Sequence, residues 1–291
     1  MDAWAALRLQ IEFGADEALE EVAPDRVRRA PGAGDPPDAG ATADAAPHAS
    51  EARPLRRPPS ADGPVQAPAP APALHRAPGA AIGAGAASVA ALAAADLAAA
   101  ADSLAALRAA IAGFDGCPLR ATAANLVFAE GPPEAELLLI GEAPTDADDR
   151  AGRPFTGPAG AYLDKMLASI GLDRAQLLLA PLVPWRPPGD RPPSPGERAA
   201  CRPFLHRLIA LARPRRVLLL GALAAQDLLG SGAGRRGGGW RLMPVPSLEP
   251  LPALASQSPG FLLRNPGPAR RRAWADLRLL RRTLDEDFTK S

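Results

Sequence analysis

A chain of 291 residues, 47% of them hydrophobic, can bury one sizeable core with an appended segment. Its net charge of +1 hides an asymmetry: residues 1–113 hold 9 Lys+Arg against 14 Asp+Glu, and residues 114–291 hold 24 against 18. Such a balance gives an acidic leader and a mildly basic body fit to meet a polyanion, and two cysteines, Cys117 and Cys201, exclude a disulfide scaffold.

The start, MDAWAALRLQIEFGADEALEE, has acids where an export signal needs basic charge. Trp4, Leu7, Ile11 and Ala15 fall on one face of a short amphipathic helix over residues 1–22, free to dock on the body or on a protein partner. From 23 to 86 Pro, Ala, Gly, Asp and Arg dominate. With almost no large apolar residue, this stretch cannot offset the entropy of ordering and reads as a disordered linker. An Ala-rich helix is expected over 87–113. Asp96, Asp102 and Arg108 make it too weakly apolar to span a bilayer, so a cytoplasmic protein without membrane attachment is expected.

Beyond Phe114 the rhythm changes. AELLLIGEAP, QLLLAPLVPW, RRVLLLGALAAQDLLG and WRLMPVPSLEPLPALASQSP each carry a short apolar run closed by Gly, Pro or Ser. Helical stretches separate them: GAYLDKMLASIGL, PGERAACRPFLHRLIALARP, ALAAQDLLG and finally GPARRRAWADLRLLRRTLDEDF. Continuous apolar strands alternating with helices predict an α/β fold with a parallel sheet covered on both faces. Ligands of such sheets bind at the carboxyl ends of the strands, where the loop after Ile140 lies.

That loop reads GEAPTDADDRAGRPFTGPAG. Together with YLDKMLASIGLDR, WRPPGDRPPSPGERAACRPFLHR, LLLGALAAQDLLG and SPGFLLRNP, it resembles the type 4 uracil-DNA glycosylase family, in colinear order over roughly residues 114–284. The resemblance implies a three-layer α/β/α sandwich around a four-stranded, mostly parallel sheet within a domain over 114–286. It also implies a monomer that acts on uracil flipped out of single- or double-stranded DNA. By position, Phe155 matches the aromatic that stacks on the base. Glu142, with Gly141, Ala143 and the backbone to 146, matches the motif that shapes the pocket and places water, and Asp148 and Asp149 match the acidic pair behind it.

Three positions depart from the family. Thr145 stands where Gly usually follows GEAP, and a β-branched residue there would reshape the pocket. Pro181 stands where an Asn reads the uracil edge, leaving neither amide nor N–H. Ser258 stands where a His donates to the leaving base; a hydroxyl is the weaker donor. The other histidines, His48, His75 and His206, offer no obvious substitute.

The family's [4Fe–4S] cluster needs four Cys thiolates. Only Cys117 and Cys201 match; Phe114 and Trp185 occupy the other two positions. An apolar plug around two thiols is expected there, with a cluster on non-Cys ligands as the alternative. GPARRRAW and GFLLR could touch phosphates and fill the hole left by a flipped base, or be ordinary helix surface and core. GSGAGRRGGGW lacks the phosphate-loop pattern and reads as a flexible loop. Two functions stay open: hydrolysis of the N-glycosidic bond of uracil or a related damaged base in base excision repair, or a non-catalytic protein of the same fold that binds DNA or a partner.

Overall fold

The apolar runs become strands because nothing polar in them needs water. The computed structural model of the protein describes residues 84–232 and 238–290. In chain order these form helices α1 (Ala84–Ala100) and α2 (Leu104–Gly113), strand β1 (Leu137–Gly141), helices α3 (Asp146–Ala151) and α4 (Gly157–Ser169), and strand β2 (Leu178–Pro181). There follow α5 (Pro195–Ala212), β3 (Arg216–Leu220), α6 (Ala222–Leu229), β4 (Trp240–Met243), β5 (Leu251–Ser256), α7 (Pro259–Arg264) and α8 (Pro268–Lys290). Short 3-10 turns at Pro118–Ala121, Arg174–Gln176 and Pro188–Asp190 join them.

The strands pair in the order β2-β1-β3-β5-β4. The first four are parallel, with Leu139 opposite Leu179 and Leu218, and β4 is antiparallel to β5. Alternate residues point to opposite faces and split the core in two. Leu138, Ile140, Leu178, Val217 and Leu219 meet α1, α2 and α5 on one face. Leu137, Leu139, Leu179, Leu218 and Leu220 meet α4, α7 and α8 on the other. The three-layer α/β/α sandwich follows.

The sheet has five strands, one more than the sequence pattern suggests. The run 240–259 holds two of them, separated by the Pro-rich stretch 244–250 in which Ser247 takes a positive φ of 65°. The Ala-rich segment is likewise two helices. Ser103 breaks it, capping α2 through a bond from the Ala106 N–H at 3.2 Å. Its first helix begins at Ala84, inside the stretch assigned to the linker. Ala90, Ala94 and Ala98, spaced one turn apart, are buried in the α5-side core, where small side chains allow close helix approach. The expected leading helix, the linker up to residue 83 and the centre of the 230–240 loop lie outside the described residues. Among the described residues no helix is long and apolar enough to cross a membrane.

Candidate active site at the strand ends

From β1 the chain turns to β2 on one side, while β3 lies on the other, so the loops leaving β1 and β3 diverge at the sheet's carboxyl edge. Such a switch point opens a crevice. Here the crevice is a cavity of about 710 Å³ whose walls include Glu142, Thr145, Phe155, Pro181, Ser258 and Arg264. That volume lies in the range of small-molecule pockets. Gly141 and Ala143 also line it.

Glu142 bridges the two loops: its Oε1 accepts the Leu223 N–H of α6 at 2.9 Å. This needs Gly221, which has φ +122° and where any Cβ would collide with the Glu142 carboxyl group. Burial raises the Glu142 pKa above the ordinary carboxylate value, against the opposing pull of the Leu223 amide and the Arg264 charge. The result is a carboxylate poised to take a proton.

Phe155 turns back over the end of β1. A Cβ on Gly141 would lie 2.6 Å from its ring, so only Gly lets the ring settle there. The turn demands a left-handed backbone, φ +54°, which costs a bulky residue energy. Arg174 holds that conformation from the 3-10 turn before β2, donating to the carbonyls of Phe155 at 2.7 Å and Pro154 at 2.6 Å. Gly160 is also required, since a Cβ there would strike the Phe155 carbonyl.

Asp148, expected among the catalytic groups, is otherwise engaged. Its Oδ2 accepts the Thr145 N–H at 2.8 Å and hydroxyl at 2.7 Å, and its Oδ1 accepts the Thr156 N–H at 2.6 Å and hydroxyl at 2.8 Å. A carboxylate offers about four acceptor sites, and all are filled. These bonds make Asp148 the staple that closes the 145–156 loop. Its neighbour Asp149 accepts the N–H groups of Ala124 and Asn125 and ties that loop to the preceding segment. Thr145 does not block the pocket, because its side chain turns to cap α3 in a reciprocal box with Asp148.

Pro181 ends β2 opposite Gly141, half-buried in the wall. Ser258 caps α7, its Oγ accepting the Phe261 N–H at 3.4 Å while its own proton stays available. His206 lies on α5 outside the cavity walls, with its pKa lowered mainly by burial.

Sequence reasoning gave no role to Arg191, Gln226 or Arg264, which also line the cavity. All three follow the carboxyl ends of strands, and that position was the available signal. Arg191 is fixed by a two-pronged bond to buried Glu197, at 2.8 and 2.6 Å. The GFLLR segment divides: Leu262 is core, whereas Phe261 and Leu263 are 38% and 39% exposed. In GPARRRAW, Arg270 packs over the Tyr162 ring and bonds the Leu262 carbonyl, while Arg271 and Arg272 are exposed.

The residues at the family's cluster position do not fit a four-thiolate cluster. Phe114 and Trp185 are each only 3% exposed, and the Phe114 ring stands edge-on to Phe204 with centroids 5.1 Å apart. The Cys117 and Cys201 sulfurs touch at 3.7 Å, both buried. This contact makes Cys117 the more acidic thiol of the pair. Where a cluster would need room, side chains are packed.

Residues 128–278 match the family described as the Uracil DNA glycosylase superfamily. A Type-4 uracil-DNA glycosylase of Pyrobaculum aerophilum is 38% identical over 115 residues, 40% of this chain and 59% of the relative. Those of Sulfurisphaera tokodaii and Archaeoglobus fulgidus are 42% and 41% identical over 106 and 110 residues, which is 36% and 38% of this chain and 48% and 55% of theirs. The chain thus spans about half the length of the curated relatives it matches. With the matched region running from the segment before β1 into α8, the chain belongs to the uracil DNA glycosylase superfamily and is similar to type 4 members of it.

Proposed function

We propose that the protein hydrolyses the N-glycosidic bond of uracil in DNA, as a cytoplasmic monomer serving base excision repair. The observation that carries this reading is the open strand-end cavity, in which an aromatic ring, a half-buried carboxylate and a helix-capping hydroxyl converge. An extruded uracil stacks on Phe155. Glu142, its proton affinity raised by burial, orients a water and accepts its proton as the oxygen bonds to C1′ of the sugar. The bond from C1′ to N1 breaks and its electron pair leaves with the base. Ser258 donates its hydroxyl proton as a hydrogen bond to the departing uracil, and the nearby cations Arg264 and Arg191 stabilise the developing anion. Phe261 and Leu263, exposed beside the cavity, fill the gap in the stack, and Arg271 and Arg272 contact phosphates.

Pro181 supplants the Asn on β2, so the Gln226 amide in the cavity wall and main-chain groups of the 141–146 loop carry base recognition in this reading. The two unpaired, buried thiols suit a reduced compartment. The test is excision from a labelled single-stranded oligonucleotide holding one uracil, with enzyme in excess and Phe155→Ala as control. Release of uracil that the substitution abolishes supports the proposal. Binding without release over hours overturns it in favour of a non-catalytic DNA-binding protein.

A further inference from the structure

We propose that Cys117 and Cys201 form a reversible disulfide under oxidative stress, replacing with one covalent bond the tie that a metal cluster cannot make here. Three observations carry this. The sulfurs are 3.7 Å apart, in direct contact, although the residues are 84 positions apart in sequence. The two thiols belong to different elements: Cys117 lies in extended backbone just before the 3-10 turn at Pro118–Ala121, and Cys201 lies inside α5. A narrow cleft of about 20 Å³ borders Cys201 between Pro184, Phe204 and Leu208. It has room for a molecule about the size of water and none for bulky thiols and disulfides.

That access selects hydrogen peroxide as the oxidant. One thiolate attacks a peroxide oxygen, the O–O bond breaks, and a sulfenic acid forms with loss of hydroxide, which takes up the thiol proton as water. The second thiol attacks that sulfur and expels a second water as its own proton leaves. Two thiols are oxidised by two electrons and one peroxide is reduced to two waters. Confinement favours this closure over further oxidation, because the partner sulfur is already in contact. The bond draws the sulfurs to about 2.05 Å, a movement within reach of side-chain rotation and small backbone shifts.

Closing a loop of this length restricts the unfolded chain strongly, so oxidation should raise Tm by roughly 5–10 °C. The experiment treats the full chain with hydrogen peroxide, removes the excess, and alkylates it under denaturing conditions before intact-mass analysis. Expected is the loss of two hydrogen atoms with no alkylation, a monomeric species and a higher Tm, all reversed by dithiothreitol. Cys117→Ser and Cys201→Ser should each retain one alkylatable thiol and show no Tm rise. Two alkylatable thiols after treatment, addition of oxygen to either sulfur, or covalent dimers would each overturn the proposal. The wild-type mass alone decides the matter if a variant fails to fold, and no outcome depends on glycosylase activity.

Discussion

The strand-end pocket and the compartment between Phe114 and Trp185 have both departed from the family pattern, with opposite consequences. In the pocket, the replacements at Thr145, Pro181 and Ser258 leave an open cavity of about 710 Å³. Thr145 caps a helix, Pro181 finishes an outer strand, and Ser258 caps another helix, so each replacement has a backbone task. In the compartment the function of the family site is the side chains themselves. With Phe114 and Trp185 at two of the four positions where the resemblance implies thiols, that space is apolar core. A site built on main-chain geometry tolerates side-chain exchange; one built on a ligand count does not.

The largest effect that could break this contrast lies in the pocket. Glu142→Gln should lower uracil excision by about 10²–10⁴-fold with little change in DNA binding, as measured by single-turnover kinetics. The pH profile sharpens the point. A base works ionised, so wild-type activity should rise with pH through a pKa above the usual Glu value, and that acidic limb should vanish in the variant. An unchanged rate would remove Glu142 from the mechanism.

Next comes the compartment. Phe114→Ala should cost about 3–5 kcal/mol in denaturant unfolding, because it opens a cavity beside Phe204. A loss below about 1 kcal/mol would mean that the compartment is loosely packed and the contrast false.

A third change calibrates stability away from both regions. Asp276 on α8 is 4% exposed, and burial lifts its pKa from 3.8 to about 6. The folded state therefore binds its proton more tightly than the unfolded chain does. Its ionisation penalty is absent below about pH 4, grows as pH rises, and is complete above about pH 6. Asp276→Asn should stabilise the protein at pH 7 by up to about 3 kcal/mol and by almost nothing at pH 4. Equal effects at both pH values would show that charge is not the cause.

The smallest of the four is Ser258→Ala. It should reduce excision by about 10²-fold, and should remove about 1 kcal/mol of stability with the helix cap. Loss of stability with no loss of rate would reduce Ser258 to a cap alone.

The strands were legible because runs such as LLLI and VLLL contain no group that water could satisfy better than a neighbouring strand. The fifth strand was not, since Arg241 and Leu242 are exposed in β4 and Pro252 sits in β5, which blurs the pattern. Phe155 and Glu142 line the cavity, a position that the resemblance carried by GEAP and GRPFTGPAG implies for them. The bonds of Asp148 were not legible, because an acid beside a pocket reads the same whether its lone pairs are free or filled. That depends on where Thr156 returns, which is a property of the folded loop. Arg264 and Arg191 were missed for a related reason: local sequence does not say which arginine a helix or turn aims inward.

If Phe155 stacks on the base as proposed, its left-handed backbone makes that surface a matter of populations. In the arrangement described, two carbonyls are held by one guanidinium, and the ring is kept over Gly141. Free of that hold, the turn relaxes toward ordinary negative φ, and the ring is in place for only a fraction of the time. Apparent affinity for a flipped base then falls by that fraction even though every group touching the base is intact. Arg174, remote from the reacting bond, thus belongs to the surface on which drift in binding strength is expected before drift in chemistry.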